Sequence, residues 1–165
     1  MSLVWQNLAD ALRAEIAEYG ALLHLFSEQQ RLLFARDADG VLRLSTEIEG
    51  QVAALHDCRH RREQAGVAYA RAHGHPAGAT LRSLLPSIDA EARPLLEALI
   101  TEVNRLVHRT RRITRHNQAL LARAVETHQE LLRILRPGAF SPTYAPNGRV
   151  AAAGPRPASS LQAAG

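Results

Sequence analysis

The chain has 165 residues, 46% of them hydrophobic but only 4% aromatic, and it sets 20 basic residues against 16 acidic ones for a formal net charge of +4. That is one domain's worth of length, with too much apolar content for a wholly disordered chain. The lone cysteine, Cys58, excludes an intramolecular disulfide framework and a Cys-rich zinc module. In the first segment Trp5, Leu8, Leu12, Ile16, Tyr19, Leu23, Phe26 and Leu33 recur at steps of three and four, with one turn skipped at Gln29-Gln30. This spacing predicts a helix over about residues 3–36. Gly20 lies inside it, at a cost of roughly 1 kcal/mol relative to Ala.

Asp37-Ala38-Asp39-Gly40 should end that helix, with Asp39 as N-cap of the next. Val41, Leu44, Ile48, Val52, Leu55, Cys58, Ala65 and Tyr69 form its stripe and predict a helix over about 40–72. So short a connection makes the two helices antiparallel neighbours. His73-Gly-His-Pro-Ala-Gly-Ala79 breaks the pattern, and Thr80–Leu85 suggests a single turn. Ser87 or Asp89 can cap a third long helix, with Glu91 in its first turn. There, Leu96, Leu99, Val103, Leu106, Thr110, Ile113, Asn117, Leu120, Ala124, Thr127, Leu131 and Ile134 keep an unbroken 3-4 spacing, a seam of about five heptads. Pro137-Gly138 ends it. Residues 137–165 hold five Pro, four Gly and no acid, a composition expected to stay disordered. The fold expected is all-α. Residues 1–136 make an elongated antiparallel bundle of three long helices with a short connecting helix, and 137–165 a flexible tail. No strand is expected.

The residues suggest no enzyme. Carboxylates are scattered among arginines, which reads as solvated helix faces and i,i+4 pairs rather than a convergent acid–base site. His56 and His60 have a chelating i,i+4 spacing, but nothing is placed to complete a metal site: Cys58 and Asp57 lie on other faces. His73 and His75 are no more specific. Arg105, Arg109, Arg111, Arg112 and Arg115 form a basic cluster offset locally by Glu102 alone. Without aromatics beside it, neutralisation across the bundle is a simpler reading than nucleic-acid binding. No run of the chain is long and apolar enough for a membrane span, and Met1-Ser2-Leu3-Val4-Trp5 lacks the basic and apolar regions of a signal peptide, so a cytosolic location is expected.

The surplus apolar surface says more. Beside the seam of the last helix runs a second stripe, Leu121, Val125, Leu132 and Leu135, with His128 on the same line. With Leu120, Ala124, Leu131 and Ile134 it makes a wide apolar sector, although a helix in a small bundle needs one stripe. Either the first helix covers it, or an amphipathic helix of another protein docks there. Phe140 and Tyr144 are two of seven aromatics, yet they lie in the tail, where they serve as a docking motif or fold back on the bundle end.

These features together resemble the FlgN family of flagellar type III export chaperones, over roughly residues 8–148. The resemblance rests on Glu15-x3-Tyr19-x2-Leu22-Leu23, Glu28 and Leu32-Leu33 in the first helix. In the second it rests on Glu47 or Glu49, Leu55 and Arg59. Asn117-x2-Leu120-Leu121 and Leu131-Leu132 carry it in the third, and Tyr144 with Gly148 in the tail. It implies a non-enzymatic cytosolic protein, monomeric when free and without a cofactor. Such a protein binds the C-terminal amphipathic helices of the hook–filament junction proteins FlgK and FlgL, prevents their premature association and delivers them to the export gate. By the same resemblance the substrate-binding part is the sector Leu120, Leu121, Ala124, Val125, His128, Leu131, Leu132 and Leu135. Tyr144 matches the tyrosine that docks to the gate protein FlhA, and FliJ is a further partner with no residue assigned. Gly20 and the Ala/Pro-rich extension after Gly148 depart from the pattern. A different class of reading is a self-associating coiled-coil scaffold, its seam from Leu96 to Ile134 pairing with a second copy and Asn117 setting the register. An Arg-rich nucleic-acid binder is a third, marked by steep salt dependence.

Overall fold

Helix α1 spans Ser2–Phe34, α2 Ala38–Ala72, α3 the single turn Leu81–Leu84 and α4 Arg93–Leu135, with a 3-10 turn at Leu85–Ser87. The computed structural model describes residues 2–136 and the backbone of two short strands, β1 (Thr143–Tyr144) and β2 (Val150–Ala151). By contacts the chain divides into two units, Met1–Leu120 and Leu121–Gly165. The all-α expectation holds: three long helices and a short one account for nearly all the described chain.

The α1–α2 corner shows how local chemistry sets the boundaries. Asp37 N donates to Leu32 O (3.0 Å) and Arg36 N to Leu33 O (3.2 Å), the two bonds of a Schellman ending. That ending needs a left-handed residue, and Arg36 supplies it with φ +55°. The N-cap of α2 is Asp37, not Asp39: the Asp37 carboxylate accepts from Gly40 N at 2.8 Å. Gly40 lets the two approach, since a Cβ there would lie 2.5 Å from Asp37 Oδ2 and 3.0 Å from Leu32 Cδ2. Asp39 falls in the first turn instead. The start of α4 also differs from expectation. Asp89 O accepts from Ala92 N (2.9 Å) and Arg93 N (3.0 Å), but Pro94 has no amide hydrogen to continue the ladder, and the helix begins at Arg93. Glu91 is therefore in the preceding turn, and the Ser87 hydroxyl donates backwards to Leu84 O rather than capping α4.

Within the first unit, α2 runs antiparallel to α1 and α4 runs parallel to it. Arg62 of α2 meets Glu15, and Gln51 meets Glu18. Asn117 of α4 donates to Phe26 O (2.8 Å) and Gln29 Oε1 (3.0 Å). Leu8, Leu12, Tyr19, Leu22, Phe26, Leu55, Tyr69, Leu96, Ile100, Val103 and Leu106 share one core with Leu84 and Leu85 of the connecting turns. The Tyr69 hydroxyl donates to Ser87 O at 3.0 Å and ties that connection to α2. Val52, expected in the core, is exposed. Gln51 turns inward in its place and donates to both the Glu18 main-chain oxygen and carboxylate.

In the second unit α4 continues to Leu135. β1 and β2 pair antiparallel, Thr143 with Ala151 and Tyr144 with Val150, where no strand was expected. Two residues per strand are too few for a period-2 pattern to register, though Pro146, Asn147 and Gly148 between them are turn formers. The disorder expected of the rest of 137–165 concerns residues outside those described.

Candidate functional site

Helix α4 carries two kinds of surface along its length. From Leu96 to Leu106 its seam is buried in the core, and Asn117 is also buried, 3% exposed. Beyond Leu120 the character changes. Leu121, Val125, Leu131 and Leu135 are 42%, 48%, 52% and 74% exposed, and Ile134 is exposed as well. Ala124 and His128 are also exposed, while Leu120 and Leu132 are half-buried.

Most of the sector expected from the sequence is thus exposed. Leu121, Val125, His128, Leu132 and Leu135 follow i, i+4, i+7, i+11, i+14 and form one line along the helix. The flanking seam residues widen that line. Isolated exposed leucines are ordinary, whereas this run of apolar side chains extends over about four turns of helix. Tyr144 is placed by its backbone alone, in β1 opposite Val150.

The first unit holds polar features that the sequence reading missed. The carboxylates are not all on solvated faces. Glu15 is 1% exposed and accepts from Arg62 Nε at 2.6 Å. The signal was present, since Leu8, Leu12, Glu15, Tyr19, Leu22 and Phe26 step 4-3-4-3-4, and Glu15 occupies a core position in that series. A carboxylate there needs a cation, and Arg62 reaches across from α2 to supply it. The Tyr19 phenol sits above its ordinary pKa range, held there first by burial and second by the charge of Glu15, with Arg59, Arg62 and Arg111 pulling the other way.

The histidines and arginines are placed as follows. His56 and His60 are exposed, and His60 shares a hydrogen bond with Gln64 (Nε2···Nε2 3.0 Å). Cys58 is buried and accepts from Arg61 at 3.0 Å. Among the described residues no three His, Cys, Asp or Glu side chains are grouped to hold a metal ion. The basic cluster is not neutralised by contacts across the bundle. Arg105 pairs with Glu102 at 2.7 Å, within its own helix, and its hydrogen bonds hold the Glu102 carboxyl below its ordinary range. Among the described residues Arg109, Arg111, Arg112 and Arg115 have no carboxylate within 4.0 Å. All four are exposed to water. No described helix is long and apolar enough to cross a membrane.

Fold and surface together define a protein of three long helices whose last helix exposes a line of apolar side chains. The family model of the FlgN protein matches residues 1–152, and the chain belongs to the FlgN family. These are non-enzymatic flagellar export chaperones for FlgK and FlgL. No curated protein and no solved structure matches the chain.

Proposed function

We propose that this chain binds the C-terminal amphipathic helices of FlgK and FlgL in the cytoplasm through the exposed sector of α4. On this reading it keeps them from associating early and hands them to the export gate. The observation that supports it is the run of exposed apolar side chains from Leu121 to Leu135, on a stretch of helix that also carries Arg123, Glu126, Glu130 and Arg133. Leu120, Leu121, Ala124, Val125, His128, Leu131, Leu132 and Leu135 make the contact surface. A partner segment that folds on binding loses ordering entropy, so its affinity is moderate for the area buried. That suits a chaperone that must release its cargo. Tyr144 is the docking residue for FlhA, and FliJ is a further partner. The domain boundary that goes with this reading separates a chaperone bundle, residues 1–136, from the tail.

Calorimetry with synthetic C-terminal peptides of FlgK and FlgL tests it, with light scattering in the same buffer. One-to-one binding by a monomer with a negative heat-capacity change is expected. Replacing Leu121, Val125 and Leu132 together by Ser should abolish that binding and leave the helical circular dichroism unchanged. Full affinity in the triple variant would sink the assignment of the surface. A second reading, a self-associating scaffold, draws on the exposure of the seam residues Leu131 and Ile134. Only the distal seam is open to a second copy, since Leu96–Leu106 and Asn117 are buried within the chain. A stable dimer that ignores both peptides would favour it.

A further inference from the structure

Two arginines of α2 stand at one opening between the three long helices. A cavity of about 190 Å³ lies there, walled by Glu15 and Tyr19 of α1, Arg59 and Arg62 of α2, and Asn104 and Val107 of α4. Arg111, one turn beyond Val107, acts electrostatically on the same Tyr19 hydroxyl as Arg59 and Arg62, and Glu15 is the one opposing charge felt there. The charged groups of the wall itself are Arg59, Arg62 and Glu15, and Arg111 adds positive charge nearby. The one carboxylate is already engaged with Arg62 Nε, while Arg59 and Arg111 have no carboxylate within 4.0 Å among the described residues. The remainder of the wall is aliphatic, including Leu12, Ile100 and Val103.

We propose that this cavity is a second protein-docking site, separate from the apolar sector, which seats a glutamate side chain from an acidic segment of a partner protein. Its carboxylate meets Arg59 and Arg111, and its two methylenes lie on the aliphatic wall. The combination selects the occupant. A phosphodiester brings charge but no apolar stem for that wall, and a water molecule, at about 30 Å³ of liquid volume, leaves most of the space unused. The neighbouring Arg112 and Arg115 steer further carboxylates of the same segment toward the face. The contact is salt-sensitive but partly screened from water by the cavity walls.

The test uses the full chain and a fluorescein-labelled peptide of alternating Glu and Ala, read by fluorescence anisotropy. Arg59→Gln with Arg111→Gln should weaken binding about tenfold or more. Arg43→Gln with Arg109→Gln removes the same charge from exposed positions outside the cavity and should cost less than about twofold. The matching Gln–Ala peptide should not bind. Equal losses in the two double variants would reduce the effect to general charge and overturn the site. So would failure of the Glu–Ala peptide to bind, or its displacement by inorganic phosphate at equal concentration, which would mark an anion hole only. Stronger binding of an RNA oligonucleotide to the same arginines would assign the face to nucleic acid instead. Circular dichroism confirms that both variants, altered at exposed residues, are folded. The FlgK peptide should bind all of these proteins alike, so loss of one site is distinguishable from loss of the other.

Discussion

Arg36 holds a left-handed backbone, φ +55°, where the helix ending calls for glycine. A side chain in that region costs roughly 1 kcal/mol or more, partly offset by the greater freedom glycine has when unfolded. Arg36→Gly should therefore stabilise the protein by about 0.5–1 kcal/mol, read as a higher urea midpoint with an unchanged slope. Glu15 illustrates the opposite balance. Burial of a carboxylate is costly, and the bond from Arg62 makes it tolerable rather than strongly favourable. It fixes how α1 faces α2, because any other rotation strands the charge. Tyr19, next along the same line, has its phenol pKa raised in the folded state. The folded state thus favours the neutral phenol, and that contribution is complete below the ordinary tyrosine pKa of about 10 and lost as pH rises through the folded value. Stability should fall above about pH 10, and Tyr19→Phe should flatten the fall in urea titrations across that range. An equally steep fall in the variant would assign it to other groups.

At the scale of the element, the corner between α1 and α2 is a single cooperative unit. One residue ends a helix with its amide, and the same residue starts the next with its carboxylate: Asp37 N bonds to Leu32 O while Asp37 Oδ1 receives Gly40 N. Asp37→Ala should cost about 1 kcal/mol, and Asp39→Ala, which removes only a favourable charge from the first turn, a few tenths, by thermal denaturation. The reverse order would return the cap to Asp39. Within α4, Asn117 marks a limit of the seam's use. Its amide reaches two α1 acceptors, and its Oδ1 is buried without a partner in the described structure. A polar group satisfied in one alignment penalises slippage, so Asn117 sets the register of α4 against α1 within the chain, rather than between two copies.

At the scale of the whole molecule, the two units differ in character: Met1–Leu120 holds the buried core, and the described part of Leu121–Gly165 exposes Leu121, Val125, Leu131, Ile134 and Leu135. Stability and cargo binding should separate accordingly. Tyr144→Ala should leave affinity for the FlgK peptide unchanged and weaken binding to the cytosolic part of FlhA in a pull-down titration. Loss of peptide binding instead would place Tyr144 with the cargo surface. Much of this organisation was legible beforehand. The helices, their order and the apolar sector follow from spacing at three and four residues, and the family from an ordered set of such positions together with the tail motif. The sequence left open whether the second stripe was covered, because spacing along one helix does not say what packs on it. It also hid Glu15, whose polar identity disguised a core position.

The sequence by itself determined three long helices, their corners within a few residues and the family, because periodicity and helix stop signals are local. Only the tertiary structure decided that Leu121, Val125, Leu131 and Leu135 are exposed, that Asn117 is spent inside the chain, and that Arg59 and Arg62 stand with Tyr19 at one cavity. The last two depend on the register of one helix against another, which no single stretch of sequence encodes.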